Sequence, residues 1–486
     1  MSLISLIENE FVKIFKKKGI YITFAIIFAL IILINILFSY ASNLNPTYYG
    51  FYEDYSYEQE RLKELNPENI NDIGEYLSIR TTLDLSELRK KYEEGSWQMD
   101  IVDRTMYGYM YEVNRYTYGF EKDPTLLIEA KETYNEMLSR IDSGDWRSFA
   151  EEDKLRLEGE LLGLEEQKAA TEDKYTLAGI EDQIFSTKLE IEVLEIRLSK
   201  DIVYGMDYMN EALDNYRYNT INIREYENLE NKIYEDEKSY QGSIENLEKA
   251  KYILETEEDI YGFDLRQILL DVFAQYNLFI IIIVVMIAGS IVSDEFSKGT
   301  VKLWLVRPHS RTKLLLAKFI TSMIMVLVAM LIVVIAQIII GGVIFGFDSL
   351  KVPAVVYDFN AGELITMNLA KYVLIQAAAF LPFFILIATI AFAISTIMTN
   401  TALAITISIL GYISNDIINS LVYQFEIKFM KYFISMNWNL SEYLFGRLPY
   451  AEYMSFGFSA IMCVVYFAIL IIPSFIMFKK KNIKNI

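Results

Sequence analysis

Residues 293–318 read SDEFSKGTVKLWLVRPHSRTKLLLAK. The stretch carries Lys298, Lys302, Arg307, Arg311, Lys313 and Lys318 against only Asp294 and Glu295. It lies between two long apolar runs, Ile268–Val292 and Leu314–Phe347. A run of about 20 apolar residues suffices to cross a bilayer. Short, Lys/Arg-rich connections between such runs stay on the cytoplasmic side. The stretch therefore predicts a polytopic membrane protein and fixes its orientation.

Working outward, four further apolar runs complete a six-span pattern. The first is about Gly19–Ala41, preceded by Lys13, Lys16, Lys17 and Lys18. The others are Met367–Met398, interrupted by Pro382, then Ala402–Ser420 after a tight turn at Thr399-Asn400-Thr401, and Phe456–Phe478. Lys479, Lys480, Lys481 and Lys484 follow the last span, so the count of cations places both termini inside. Residues 421–456 hold semi-apolar pieces too short to cross and are expected outside, at the interface. Residues 1–18 place Leu3, Leu6, Ile7, Phe11, Ile14 and Phe15 at helical spacing, with Glu8, Glu10 and the lysines largely elsewhere. That pattern predicts an amphipathic elbow lying in the membrane interface. The first run is longer than a signal-peptide core and no clear cleavage site follows, so it reads as a retained anchor.

The remaining 42–266 is of a different kind. Residues 45–266 hold 53 Asp/Glu and 26 Lys/Arg, although the whole chain has a net charge of only −20. The rest of the chain is therefore net positive. Such asymmetry separates a water-facing acidic domain from an apolar part. The acidic domain also argues against nucleic acid as a partner, because phosphates would be repelled. With Cys463 as the single cysteine, no disulfide within the chain is possible and the domain must be held by packing. Its pattern is helical. Asp123-Pro124 reads as an N-cap with proline at the first helical position, and Gly144 closes that segment. Leu157, Leu161 and Leu164 mark a second helix. Leu177, Ile180, Ile184, Thr187, Ile191, Leu194 and Leu198 keep a heptad, which predicts a coiled-coil or bundle seam, with a turn at 168–176 between the two helices. A last helix is expected over about Ile221–Thr256. The expected fold is thus all-α: six transmembrane helices, with a large extracellular helical domain between the first and the second.

No phosphate-binding G-x-x-x-x-G-K-[S/T], no H-E-x-x-H and no G-x-S-x-G occurs. The expectation is a chain that is not itself an enzyme and holds no cofactor or metal. Polar side chains inside spans are costly and often face a pathway. Asn35, Gln337 and Gln376 lie deepest and are weak candidates for a substrate path, although helix-to-helix hydrogen bonding explains them equally well. Segment 295–305 can form a short amphipathic helix with Phe296, Val301, Trp304 and Leu305 on one side and Asp294, Glu295, Lys298 and Lys302 as ionic groups.

The order Glu295, Gly299-Thr300, Pro308, Arg311, Lys318 resembles the first cytoplasmic loop of type-2 ABC transporter permeases. The turn at Asn400, the semi-apolar pieces before the last span and the ending Met477-Phe478-Lys479-Lys480-Lys481 resemble that family too. The likeness covers roughly 1–42 and 267–486. The 225-residue insert departs from it. The resemblance implies a coupling helix that docks separate ABC ATPase subunits, with Asp294, Glu295, Phe296, Gly299, Thr300, Trp304, Pro308, Arg311 and Lys318 as coupling residues. It implies ATP and Mg²⁺ bound by the partner, a second permease half and surrounding membrane lipid. It implies export of an amphipathic substrate such as an antimicrobial peptide, a lipid or a toxic small molecule. The Ile/Lys/Asn/Tyr-rich composition suggests the plasma membrane of a Gram-positive bacterium. Two alternatives stand beside this: an ATPase-driven sensor acting through the outer domain without transport, and an anchored surface receptor or structural protein.

Overall fold

A computed structural model of the chain describes residues 2–43, 55–93, 95–302, 310–425 and 427–481. The described helices begin with α1 (Leu3–Phe15) and α2 (Lys18–Asn43). The polar region then supplies α3 (Ser56–Glu64), α4 (Ile73–Arg89), α5 (Trp97–Ile101), α6 (Tyr107–Tyr118) and α7 (Pro124–Ser143). It continues with α8 (Trp146–Ala170), α9 (Lys174–Lys200), α10 (Tyr208–Asn228) and α11 (Tyr234–Thr256). Three short pieces follow, α12 (Leu265–Leu270), α13 (Val272–Gln275) and α14 (Asn277–Ser290), then α15 (Ser293–Ser297). After them come α16 (Arg311–Phe345), strands β1 (Ala354–Asp358) and β2 (Glu363–Met367), α17 (Leu369–Met398), α18 (Thr401–Gln424), α19 (Ile434–Asn437) and α20 (Phe456–Lys480). The chain divides into two compact units. One comprises 1–43, 232–241 and 262–486; the other comprises 44–231 and 242–261.

The first unit is built on apolar helices. Five of them are long and apolar enough to cross a membrane by length and composition: Lys18–Ala41, Arg311–Phe345, Leu369–Met398, Thr401–Val422 and Phe456–Lys480. The expected second span is not one helix. Its backbone turns at Asp271 (φ −117°, ψ 17°) and again at Tyr276 (φ −108°, ψ 16°), leaving α14 as a 14-residue apolar helix. At 1.5 Å per residue that is about 21 Å, short of the ~30 Å hydrocarbon core. The polar groups that interrupt it, Asp271, Gln275 and Asn277, sit at these breaks. Even so, α14 is the centre of the unit: Ile280, Ile281, Val285 and Ala288 are fully buried, and it packs on α16, α17 and α18. α16 is capped by Ser310, whose hydroxyl accepts from the Lys313 N–H at 3.3 Å, and it ends at Gly346 (φ 85°). α17 runs uninterrupted through Pro382, so the expected break there is absent. Thr399 (φ 53°) ends it and the Asn400 side chain accepts from the Leu403 N–H at 3.1 Å, which restarts the chain as α18 in the expected tight turn.

Strictly all-α is corrected by an antiparallel hairpin in which Ala354 faces Met367 and Asp358 faces Glu363. The β-branched run Val355-Val356 and the Asn360-Ala361-Gly362 turn, with Gly362 at φ 72°, account for it. Residues 421–456 hold α19 and two 3₁₀ turns, and Trp438 packs edge-on against Phe383 at 5.3 Å.

The second unit has its own core. Leu85, Ile101, Val102, Met106, Ile141 and Phe149 are buried where α4 to α8 meet, and Leu194 of α9 joins them. Tyr204 lies between two guanidinium groups, 4.3 Å from Arg104 and 4.0 Å from Arg197. Asp123 caps α7 as its sequence predicts, and Gly144 closes it at φ 87°. The turn between α8 and α9 falls at Thr171–Asp173, inside the expected 168–176, and Asp173 caps α9 through the Thr176 N–H at 2.8 Å. The ion pairs Lys154–Glu195, Lys188–Glu165 and Lys168–Glu181 run in opposite order along the two helices, so α8 and α9 form an antiparallel hairpin. Ile180, Ile184, Thr187 and Leu194 of the predicted seam are buried. Leu189 and Val193 are buried too, outside the heptad, so α9 is covered on more than one side. Two boundaries differ from the sequence reading. The last helix is broken between α10 and α11, where the Asp236 carboxylate accepts from the Ile233 N–H at 3.0 Å and starts a new helix. Residues 232–241 and 262–266, expected in the outer domain, belong to the first unit. There Tyr234 donates to the Pro449 carbonyl (2.8 Å) and Gln241 accepts from the Leu448 N–H (2.9 Å).

Candidate functional site

α1 is capped by Ser2, whose hydroxyl accepts from the Ser5 N–H. Its buried residues are Leu6, Glu10 and Ile14, spaced by four, so the inner stripe of this amphipathic helix carries a carboxylate in its middle. This corrects the sequence reading, which set Glu10 off the apolar stripe. A buried carboxylate must be paired or neutralised, and the partner is Lys318, from the first turns of α16. Lys318 is 2% exposed and donates to Glu10 at 2.6 Å and to Glu295 at 3.1 Å. Lys13 closes the figure, donating to Glu10 at 2.8 Å and Glu295 at 2.7 Å. Two lysines and two carboxylates thus alternate around a ring that joins α1, α15 and α16. The second Glu295 oxygen accepts from the Thr300 hydroxyl at 2.6 Å.

Asp294 extends the network. It accepts from Lys17 at 2.7 Å and from the Thr401 hydroxyl at 3.0 Å. Ser293 shares a 2.7 Å hydrogen bond with Thr401, and its N–H donates to the Ser395 hydroxyl at 3.1 Å. Segment 293–300 is therefore tied to α1, to the start of α16 and to the α17–α18 turn.

Electrostatics follow from this geometry. Burial alone would raise the Glu295 carboxyl. The Lys318 charge and the hydrogen bonds from Lys13 and Thr300 outweigh it and hold the group at about 2. Asp294 is likewise raised by burial but drawn below the usual carboxylate range by Lys17, Thr401 and Lys298. Lys13 is lowered by burial and raised more by Glu10 and Glu295, with a net upward shift.

The expected coupling residues divide into groups. Asp294, Glu295, Thr300 and Lys318 come together in the network. Gly299 is exposed, at φ 67°, a left-handed conformation that suits glycine and ends α15. The expected continuous helix over 295–305 is therefore interrupted there, and a 3₁₀ turn follows at Thr300–Lys302. Phe296 and Val301, on the side expected to serve docking or membrane contact, are buried instead; Phe296 packs edge-on to Phe478 at 6.3 Å. Arg311 donates to the Lys481 carbonyl at 2.9 Å, near this same end. Trp304 and Pro308 lie outside the described residues. The network members missed from sequence are Glu10, Lys13, Lys17, Ser293, Ser395 and Thr401. Glu10 had a signal, an acid four residues from both Leu6 and Ile14.

The deep polar residues also separate. Asn35 and Gln337, both fully buried, meet through a 3.1 Å hydrogen bond, with Tyr276 Oη at 3.5 Å from the Asn35 amide. Gly341 lies beside them, and a Cβ there would stand 2.8 Å from the Leu265 Cδ1, so that side chain would have to shift. Gln376 belongs to another place and donates to Tyr372 Oη at 3.0 Å. No continuous line of the three is formed.

A cleft of ≈ 370 Å³ opens beside the network, between α1 and segment 291–300. Lys13, Lys16, Lys17 and Lys298 line it together with the three carboxylates, and Ile14 and Ile291 are its apolar part.

Residues 246–484 match a family described as "Protein of unknown function (DUF2705)". The chain is also similar to an "Uncharacterized protein YhcI" of Bacillus subtilis (strain 168), 28% identical over 201 residues. That similarity covers 41% of this chain and 64% of the relative, so the chain spans less than two thirds of the relative it matches. No solved structure matches.

Proposed function

We propose that the chain is the membrane half of an ATP-driven exporter in the plasma membrane of a Gram-positive bacterium. A separate ATPase docks at 293–318, with a second permease half, identical or related, beside it. The proposed substrate is amphipathic: a peptide, a lipid or a toxic small molecule. In this reading segment 293–318 and both termini are cytoplasmic, and the polar helical unit is outside. The sixth crossing is made by α12 to α14 in series.

The observation that carries the reading is the anchoring of segment 293–300. Work done on this segment by another chain is passed to three apolar helices at once, through Glu295–Lys318 to α16, through Thr401 to α18 and through Ser395 to α17. A loosely held basic loop would pass on nothing. Similarity to a Bacillus protein supports the organism class. A second reading, movement of the outer unit without transport, is favoured by that unit's own buried core. Uptake or efflux assays in vesicles separate the two.

Because Phe296 and Val301 are buried and Glu295 is an internal strut, the docking test falls on Trp304. Buried aromatic anchors carry much of the energy of small interfaces. Trp304→Ala is expected to reduce co-purification of the ATPase and to lower the ATPase rate in membranes, with insertion unchanged. Undiminished docking and rate, or no ATPase recovered with the unmutated chain, overturns the proposal.

A further inference from the structure

We infer that the cleft between α1 and segment 291–300 holds the phosphate-bearing headgroup of one anionic glycerophospholipid. The inference rests on the membrane placement used above and not on the ATPase partnership.

Charge is the first ground. Among the described residues, five lysines (13, 16, 17, 298 and 318) gather here against three carboxylates (10, 294 and 295). Two positive charges are in excess. The carboxylates are satisfied by the ring, by Lys17 and by the Thr300 and Thr401 hydroxyls, so they do not need the outer lysines. Lys16 is exposed and has no carboxylate partner among the described residues. Lys298 reaches Asp294 only at 3.6 Å, with 64% of its side chain exposed. A divalent-cation site does not fit, since lysine ammonium groups occupy the carboxylate oxygens.

Position is the second ground. Lys16 and Lys17 immediately precede the first membrane-capable helix, Lys18–Ala41. α1 is amphipathic and ends there. The cleft therefore lies at the depth where headgroup phosphates sit, and basic pockets on that side of a bundle suit anionic headgroups. Ile14 and Ile291 give the acyl-glycerol end an apolar floor, as a bare phosphate would not require.

The test uses the full chain in detergent, without any ATPase, so that its result is independent of the docking experiment. Native mass spectrometry counts phosphatidylglycerol retained per chain, with phosphatidylcholine as the neutral comparison and inorganic phosphate as a soluble competitor. One phosphatidylglycerol is expected to be held in preference to phosphatidylcholine. The double variant Lys16→Gln/Lys298→Gln should weaken it by about twenty-five-fold, since each lysine near an anionic surface is worth about fivefold. Both positions are exposed, so thermal stability should not change, and Lys351→Gln, at a distant exposed lysine, should leave retention as it was. Retention of phosphatidylglycerol undiminished in the double variant overturns the site. Equal retention of phosphatidylcholine, or displacement by millimolar inorganic phosphate, overturns the lipid assignment.

Discussion

The two units treat charge in opposite ways. In the first, four ionic side chains close a ring whose inner members are hidden from water, Lys318 at 2% exposed and Glu10 and Glu295 at 11%, while the fourth, Lys13, is 45% exposed and faces the cleft. In the second, the pairs that tie α8 to α9 stay wet, with Lys188 and Glu165 each about half exposed. The second unit is held by Ile141, Met106 and Val102, which are fully buried, and its ion pairs decorate that packing. In the first, an apolar bundle has accepted a buried ionic knot at one end. Burying ions is expensive, and a buried ion pair often adds little net stability over an apolar replacement. A knot in that place is thus better explained by what it fixes, the orientation of segment 293–300 relative to α1 and α16, than by stability. The comparison can be broken by substitution.

Lys318→Met should have the largest effect. It leaves Glu10 and Glu295 facing each other with only Lys13 between them. Removing one member of a buried ionic set costs about 3–5 kcal/mol. Thermal unfolding of the full chain in detergent measures the loss. Combining Lys318→Met with Glu10→Gln and Glu295→Gln should recover most of it, because no orphaned charge remains. A single variant as stable as the wild type would mean that the contacts of Lys318 with Glu10 and Glu295 are not buried from water.

Acid should act on the same ring. Glu295 is held at about 2, below its ordinary value near 4.5. A carboxyl with a depressed folded value contributes stability that is complete above the unfolded value and is lost as pH falls through the folded one. The window is therefore pH 4.5 down to about 2, and the loss is on the order of 3 kcal/mol, at 1.36 kcal/mol per unit. Glu295→Gln should flatten the pH dependence in that window. An unchanged acid profile would remove Glu295 as its cause.

In the second unit packing sets the scale. Ile141→Val deletes one methylene from a fully buried position and should cost about 0.5–1.5 kcal/mol. Hydrogen exchange of peptides from α7 and α8 in the full chain reads it locally.

What could be read from sequence was local. The cap at Asp123, the stop at Gly144, the turn near Asp173, the α9 seam and the five long apolar helices each follow from spacing within a few residues. The β-hairpin has a local signal as well, in Val355-Val356-Tyr357 and Asn360-Ala361-Gly362, although two five-residue strands stand out little beside the long apolar runs. The breaks at Asp271 and Tyr276 were hidden by composition, because hydropathy averages over a window and does not see two residues leave helical geometry. The ring as an assembly was not legible. Glu10 and Lys318 stand 308 positions apart, and no local period says which distant charges will meet. Only the misfit of an acid between Leu6 and Ile14 pointed to a buried counter-ion. Likewise Phe296 reads as a free apolar face until Phe478, from the other end of the chain, is found covering it.

The smallest effect is the sharpest test of the comparison. Lys188 and Glu165 lie 3.1 Å apart, close enough for a good ion pair, yet their side chains are 55% and 48% exposed. At such exposure water screens the attraction, and ordering two long side chains cancels much of what is left, so exposed pairs contribute roughly 0.2–1 kcal/mol. Lys188→Ala should therefore change the exchange protection of α8 and α9 by no more than this. In about 1 M salt, where the screening length is about 3 Å, even that difference should vanish. The contacts of Lys318 with Glu10 and Glu295 should keep their contribution in the same salt, because Lys318 is 2% exposed and buried pairs are screened far less. If Lys188→Ala instead cost as much as Ile141→Val, and the cost survived high salt, the α8–α9 hairpin would depend on ionic contacts after all. The contrast between a unit that buries an ionic knot in its apolar bundle and a unit whose ion pairs only decorate its packing would then fail in the second unit.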